Sequence, residues 1–282
     1  MTVRELLSAL TRDLKGEQVA LPADAALDVS CSGVEYDSRK TKPGSVFVAL
    51  PGQKADGAAF APQAAASGAV AIVSERPRPD NVAAPWIAVG NARLALALLA
   101  SEFFGHPSRR MQVVGITGTN GKTTTSYLLQ AIFEAAGTPC GLMGTVAYRI
   151  GDREIAATRT TPEAPDVQLL MRQMVDVGCR ACVMEVSSHA LAMHRVDGIH
   201  FAAGVFTNLT RDHLDFHQDM ESYFAAKRRL FEILPPDAPG VINVDDPRGA
   251  LLVDVTQRPM TYAINRDAEV TPGPLSFAFD GL

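Results

Sequence analysis

The sequence predicts an α/β protein of two domains. A small α/β domain occupies residues 1–107, and a larger one occupies 108–282, with a mostly parallel sheet that is incomplete at its C-terminal end. Three observations carry this prediction. Short apolar runs alternate with segments of helical period along the chain, as strands joined by crossover helices do. The length of 282 residues suits two domains of ~100–200 residues each. A glycine-rich loop at 118–124 separates an apolar run from a helical one, which is where a parallel sheet places a ligand.

Residues 3–14 have Val3, Leu6, Leu7, Leu10 and Leu14 at helical spacing and read as an amphipathic helix. The apolar run 46–50 reads as a strand closed by Pro51-Gly52, and 58–67 as a helix. Runs 69–73 and 86–89 lie against Gly68 and Gly90 and read as two further strands. Asn91 is a good N-cap for a helix that ends near Phe104. Gly105, Pro107 and Ser108 then punctuate the chain, and the domain boundary is placed there. Beyond it, 111–117 reads as a buried strand and 122–136 as a helix. Further strands are expected at 182–186, 201–207 and 240–243, with helices at about 165–177 and 219–234. Residues 271–282 look like a turn and the start of another strand, so the chain stops mid-fold.

Hydrophobic residues make up 47% of the chain and charged ones 20%, which excludes disorder. The net charge is −5, and no Lys/Arg run supplies the field a nucleic-acid partner needs, which argues against one. No run reaches the ~18–20 apolar residues of a membrane span. Glu5 interrupts the N-terminus as a secretory signal, so a cytoplasmic location is expected. Cys179 and Cys182 have CxxC spacing but lead into an apolar run, and they read as buried thiols. The sequence carries no signal of oligomeric state.

The run Gly118, Thr119, Asn120, Gly121, Lys122, Thr123, Thr124 stands between strand and helix, the context of a phosphate-binding loop. Its backbone N–H groups and the helix N-terminus favour anions. Lys122 would neutralise outer phosphates, and the Thr123 hydroxyl would hold magnesium. The pattern departs from G-x-x-x-x-G-K-[ST] in one place, because Ile116 holds the first glycine position and Gly118 follows two residues later. Glu185 closes an apolar strand. A carboxylate there either meets a cation or turns to solvent. Asp212, His213, Asp215 and His217 follow the next strand. The i,i+4 histidines lack the HExxH context of a zinc site, and an imidazole here either completes a magnesium shell or simply hydrogen-bonds. Lys227, Arg228 and Arg229 read as a solvated helix face.

Together, GTNGKTTT at 118–125, MEVSSHAL at 184–191, VFTNLTRDHLDFH at 205–217, and Tyr223 with Ala226-Lys227 resemble the Mur ligase family, most closely its tripeptide-forming (MurE) type. Asp37-Ser38-Arg39, Pro43-Gly44, 47–50, Gly52, Asp56-Gly57 and Gly68-Ala69 agree as well. The resemblance implies an ATP-dependent amide ligase of cell-wall synthesis. Such an enzyme would add a diamino acid, meso-diaminopimelate or L-lysine, to the UDP-MurNAc-dipeptide UDP-MurNAc-L-Ala-D-Glu. The substrate carboxylate would be activated as an acyl phosphate, and two anionic reactants must then be brought together by cations.

Carried over by resemblance, magnesium would be held by Thr123 and Glu185. A second magnesium would be held by Glu185 and His213, with Lys227 carbamylated into an anionic ligand. Tyr36, Ser38, Gln53, Lys54, Ala55, Thr160, Thr161, Ser187 and Arg195 would contact the UDP-linked substrate. Residues 243–247 fall near the nucleotide base, where the alternative is a loop cap. Met193 stands where a glutamine is common and Arg159 where an asparagine often sits. The family is longer, and its final, amino-acid-binding domain is absent here. This chain is therefore expected to bind the UDP substrate with little or no turnover. The alternatives are a MurF-type or folylpolyglutamate-type ligase, or a non-catalytic nucleotide-sugar-binding fragment.

Overall fold

The structure is a computed structural model, and it describes residues 1–14, 19, 21, 27–52 and 55–273. The chain divides into two compact units. The first comprises Met1–Pro107 with Pro162–Arg172 and Met193–Ile199. The second comprises Ser108–Thr161, Gln173–Ala192 and His200–Leu282.

The first unit opens with α1 (Val3–Asp13). Thr2 and Glu5 cap it reciprocally. The Glu5 N–H donates to Thr2 Oγ1 at 3.2 Å, and the Thr2 N–H donates to Glu5 Oε2 at 2.7 Å. Next come β1 (Gly33–Glu35), β2 (Ser45–Ala49), α2 (Ala61–Ala66), β3 (Ala71–Ser74), β4 (Trp86–Ala88) and α3 (Ala92–Phe103). The four strands form a parallel sheet in sequence order. Strand period explains why every residue of β2 is buried. Val46 and Val48 join the cluster built on Leu6, Leu10, Leu96 and Leu99, while Phe47 and Ala49 join Ala61, Ala64 and Ile72. The helix read at 58–67 is split. A 3-10 turn (Gly57–Phe60), capped by Asp56, leads into α2 with Pro62 in its first turn; proline has no N–H to continue a helix that began earlier.

The second unit holds an eight-stranded sheet. From there the elements in chain order are β5 (Gln112–Thr117), α4 (Lys122–Ala135), β6 (Cys140–Met143), β7 (Ala147–Ile150), β8 (Arg153–Ala156), α5 (Ala164–Asp176), whose residues up to Arg172 count with the first unit, and β9 (Ala181–Glu185). They continue with α6 (Ser188–Ala192), β10 (Ala203–Phe206), α7 (Leu214–His217), α8 (Met220–Glu232), β11 (Gly240–Asn243), α9 (Pro247–Val253) and β12 (Pro259–Tyr262). The sheet order is β12-β11-β10-β5-β9-β6-β7-β8. The run from β12 to β6 is parallel, and the last two pairings are antiparallel. The mostly parallel sheet matches the sequence reading, whereas the β6–β8 meander was not anticipated. Its outer strand is largely exposed, with Arg153 and Glu154 at the turn, so it shows no apolar run.

β5 lies between β9 and β10, which follow it in the chain. Ile116 is level with Glu185, and Thr117 with Phe206. The loops leaving β5, β9 and β10 therefore emerge together at one carboxyl edge, on opposite sides of the switch in strand order. Cys140, Cys179 and Cys182 are buried thiols, and Cys31 is half-buried. No described helix is long and apolar enough to cross a membrane. The strand start expected within 271–282 falls mainly on residues outside the described ones.

Candidate functional site

The loop at 118–124 follows β5 and opens α4. Gly118 takes φ +147°, and a Cβ there would collide with Thr207 Oγ1. That contact explains the shifted glycine: position 116 is a buried strand residue, and the chain needs its first glycine only where it passes beneath Thr207. The segment after β10 clamps the loop. Thr207 Oγ1 donates to the Asn120 carbonyl at 2.7 Å, the Thr119 N–H donates to the Asn208 carbonyl at 2.9 Å, and the Asn120 N–H donates to Asn208 Oδ1 at 3.0 Å. Gly118→Ala is expected to destabilise the protein by about 3 kcal/mol, since backbone strain and overpacking each cost ~1–3 kcal/mol. Urea unfolding measures this, and an unchanged midpoint with unchanged slope would refute the clamped-loop account.

Lys122 Nζ donates to the carbonyls of Gly118 and Thr119 at 2.8 and 2.9 Å. Desolvation lowers its pKa, against the pull of Glu185 and Asp212. Thr123, one residue on, places Oγ1 3.0 Å from each Glu185 carboxylate oxygen. Glu185 is fully buried at the end of β9 and does not face solvent. Thr145, just beyond β6, also donates to it, through N–H at 2.8 Å and Oγ1 at 3.0 Å. Sequence reasoning missed Thr145; the signal was a Gly-Thr pair ending the run 140–143 at the same sheet edge.

Gly118 is buried beneath this arrangement, while Thr119, Asn120, Gly121 and Thr124 line a cleft of about 390 Å³ with Lys122, Thr123 and Glu185. Thr160, Ser187, His213 and Lys227 line it too, so most of the second-unit residues singled out from the sequence come together. Thr160 Oγ1 lies 3.1 Å from Thr145 Oγ1. Thr161 is buried beside the cleft, where its hydroxyl donates to the Glu185 carbonyl at 2.8 Å and accepts from the Ser187 N–H at 3.1 Å. Thr161 thereby fixes the turn that leaves β9.

Lys227 corrects the solvated-face reading. It is 1% exposed, its Nζ donates to the Gly118 carbonyl at 2.7 Å, and it lies 4.5 Å over the Tyr223 ring. Burial, and then the charge of Lys122, pull its pKa down to about 6. Arg228 does lie on the exposed face, paired with Glu232 at 2.9 Å. His213 precedes α7 with φ +52° and its ring against His189. His217 is buried, with Nε2 2.9 Å from Ser188 Oγ. Burial first, and then neighbouring His189, Lys227 and His213, push its pKa down to about 4, so it is a neutral hydrogen-bonding ring.

In the first unit, Tyr36, Ser38 and Ala55 line one cavity of about 420 Å³ together with Phe47, Leu50 and Phe60. The Tyr36 hydroxyl donates to Asp166 Oδ2 at 3.0 Å, and Ser38 Oγ donates to Gln63 Oε1 at 3.0 Å. Gln53 and Lys54 lie outside the described residues. Arg195 lines neither cavity. It pairs with Glu163 at 2.7 Å, both largely buried, and reaches Met193 Sδ at 3.3 Å. Arg159 enters through its backbone, which Tyr148 bridges. Residues 243–247 hold loop backbone through two carboxylates. Asp246 accepts from the N–H groups of Arg248 and Leu209, and Asp245 from those of Ile264 and Asn265.

The Thr123 hydroxyl and the Glu185 carboxylate are hard oxygen donors that fit magnesium. Among the described residues no three His, Cys, Asp or Glu side chains converge on a metal position. An ion here would complete its shell with phosphate oxygens and water.

Comparison with known proteins supplies the context. Residues 116–274 match the Mur ligase middle domain, and residues 30–104 match the Mur ligase family catalytic domain. A UDP-N-acetylmuramoyl-L-alanyl-D-glutamate–2,6-diaminopimelate ligase of Geobacter metallireducens is 46% identical over 92% of this chain and 52% of its own length. A UDP-N-acetylmuramyl-tripeptide synthetase of Roseiflexus is 45% identical over 89% of this chain and 53% of its own length. The chain thus spans about half the length of the curated relatives it matches. A solved structure of a diaminopimelate-adding ligase of the same name as the Geobacter enzyme superposes with a TM-score of 0.85. It is 27% identical and covers 100% of this chain and 56% of that one. A MurF structure from Acinetobacter baumannii has a TM-score of 0.61 at 19% identity, covering 93% of this chain and 53% of that one, and shares the fold.

Proposed function

The chain belongs to the Mur ligase family, and from that premise we propose that it carries the ATP and UDP-sugar sites of an ATP-dependent amide ligase. The proposed reaction joins a diamino acid to UDP-MurNAc-L-Ala-D-Glu. The names of the relatives favour diaminopimelate as that amino acid. The substrate carboxylate attacks the γ-phosphorus and ADP leaves. The amine then attacks the acyl phosphate and expels inorganic phosphate.

The observation that carries the reading is the meeting of Thr123 with buried Glu185 at the N-terminus of α4. A buried carboxylate whose hydrogen bonds come from the neutral hydroxyl and amide groups of Thr123 and Thr145 suits a cation at such a place. Lys122 neutralises phosphate charge, and the loop N–H groups orient it. Thr123 and Glu185 hold magnesium, which when bound offsets the charge of the reacting anions. His213 and Lys227 face the same cleft and serve a second ion. Lys227 does so as a carbamate: its neutral Nζ bonds to the carbon of CO2 and loses a proton, leaving an anionic carboxylate on nitrogen. A pKa of about 6 supplies the neutral amine at physiological pH.

Residues 1–107 form the UDP-sugar domain in this reading, with Tyr36, Ser38 and Ala55 at one cavity, and 108–282 form the ATP domain. Thr160, Thr161 and Ser187 of the second unit and Arg195 of the first are further proposed contacts of the UDP-linked substrate, Arg195 offering a fork for carboxylate or phosphate.

Calorimetry tests the reading. The chain is expected to bind a non-hydrolysable ATP analogue in a magnesium-dependent way, and separately to bind UDP-MurNAc-L-Ala-D-Glu. Lack of binding of the ATP analogue at millimolar concentration would overturn it.

A further inference from the structure

The structure assigns a positioning role to His217, a side chain that does not line the cleft; the assignment rests on the nucleotide and magnesium reading above. The groups proposed to meet phosphate and metal come from separate parts of the chain. Thr119 to Thr123 belong to the loop after β5, Glu185 to β9, His213 to the residue before α7, and Lys227 to α8. No single element sets their spacing.

His217 touches what joins them. It is 6% exposed, and its Nε2 meets Ser188 Oγ at 2.9 Å. Ser188 is itself buried and lies three residues beyond Glu185. The His217 backbone N–H donates to the His213 carbonyl at 3.0 Å. Its ring packs against Tyr223 at 5.2 Å between centroids. The Tyr223 hydroxyl lies 3.1 Å from Thr119 Oγ1 in the phosphate loop, and its ring lies under Lys227 Nζ. One path of contacts, Ser188 to His217 to Tyr223 to Thr119, therefore ties the carboxylate strand, the His213 turn, α8 and the loop together.

The turn needs such a tie. α7 has four residues, too few for a helix to persist unaided. His213 sits at φ +52° without a side-chain cap bond, a conformation that a non-glycine residue keeps only when its surroundings hold it. The hydrogen bond between Ser188 and His217 anchors the far end of that turn to the segment following Glu185. His217 thereby sets where His213 stands relative to the carboxylate.

Three variants test this role in the whole chain. His217→Phe keeps a ring against Tyr223 and removes the hydrogen bond, His217→Gln keeps a polar group for Ser188, and Ser188→Ala removes the other partner. Each is titrated with a non-hydrolysable ATP analogue, in magnesium and in EDTA, and melted by circular dichroism. His217→Phe and Ser188→Ala are each expected to weaken magnesium-dependent binding by about tenfold, as loss of a group that orients a metal ligand does. Binding in EDTA should stay within a factor of about two, because loop contacts are untouched. The double variant should be no worse than either single one, since both remove the same bond. His217→Gln should recover part of the loss.

Equal loss in magnesium and EDTA, or wild-type affinity in His217→Phe, overturns the assignment. If His217→Phe does not fold, Ser188→Ala decides by the same criteria. A wild-type chain that binds no nucleotide refutes the functional reading instead, before any variant is compared.

Discussion

Lys122→Ala is expected to weaken binding of a non-hydrolysable ATP analogue by about a hundredfold, or roughly 2.7 kcal/mol, within the range for deleting one partner of a desolvated charge pair. Binding of UDP-MurNAc-L-Ala-D-Glu should change by less than a factor of about two, because its proposed contacts at Tyr36 and Ser38 belong to the first unit and Lys122 is none of its proposed contacts. The difference follows from where the groups lie. Lys122 reaches the carbonyls of Gly118 and Thr119 at the start of α4, whereas Tyr36 and Ser38 line a cavity of the first unit. The loop should keep its shape in the variant, since Thr207 and Asn208 hold it independently of the lysine. Paired titrations of the two ligands against wild type and variant check this. Parallel loss of both affinities would show that Lys122 also holds the UDP-linked substrate and that its assignment to the nucleotide alone is wrong.

Lys227→Met is expected to stabilise the protein while removing its capacity for a second metal. The buried amine has a pKa of about 6, against ~10.4 for an unfolded lysine. At pH 7 the unfolded chain therefore binds a proton that the folded chain has released. Folding is opposed on the order of 4 kcal/mol at 1.36 kcal/mol per pKa unit, less the value of one hydrogen bond. Below pH ~6 both states are protonated and the penalty is at its largest. It shrinks as pH rises toward ~10 and then vanishes. The stability difference between variant and wild type should therefore be largest in mild acid and fall steadily with rising pH. Urea unfolding from pH 6 to 10 in CO2-free buffer measures it. Parallel curves for the two proteins would mean that Lys227 keeps an ordinary pKa. With ¹³C-bicarbonate, wild type should show a carbamate carbon resonance that Lys227→Met lacks.

Much of the site was legible because its chemistry sits in contiguous runs. The loop 118–124 announces itself between an apolar strand and a helix, and Glu185 stands out as a carboxylate closing the run 181–185. Lys227 was not legible from its neighbours. Three adjacent cations look solvated on any helix, and only the packing of α8 decides that Arg228 points outward while Lys227 is buried. Thr145 was missed because its role depends on β6 lying beside β9, a pairing across some forty residues. The two-sided burial of β2 could be read from an unbroken apolar run. β1 and β8 could not, since three- and four-residue strands with polar members have no usable period.

Among the described residues, the two outermost strands of the larger sheet differ in what they present at its rims. β8 is short and carries exposed Arg153 and Glu154. At the other side β12 begins with Pro259, and the Arg258 carbonyl is the group that bonds to β11. Pro259 therefore faces away from β11, where it withholds a donor that an incoming chain would need. Charge on one rim, and on the other a missing amide together with Val270 already bonded to Thr261 and Ala263, make each a poor template for a foreign β-segment. Edge-to-edge pairing through these rims is thereby disfavoured in the folded chain.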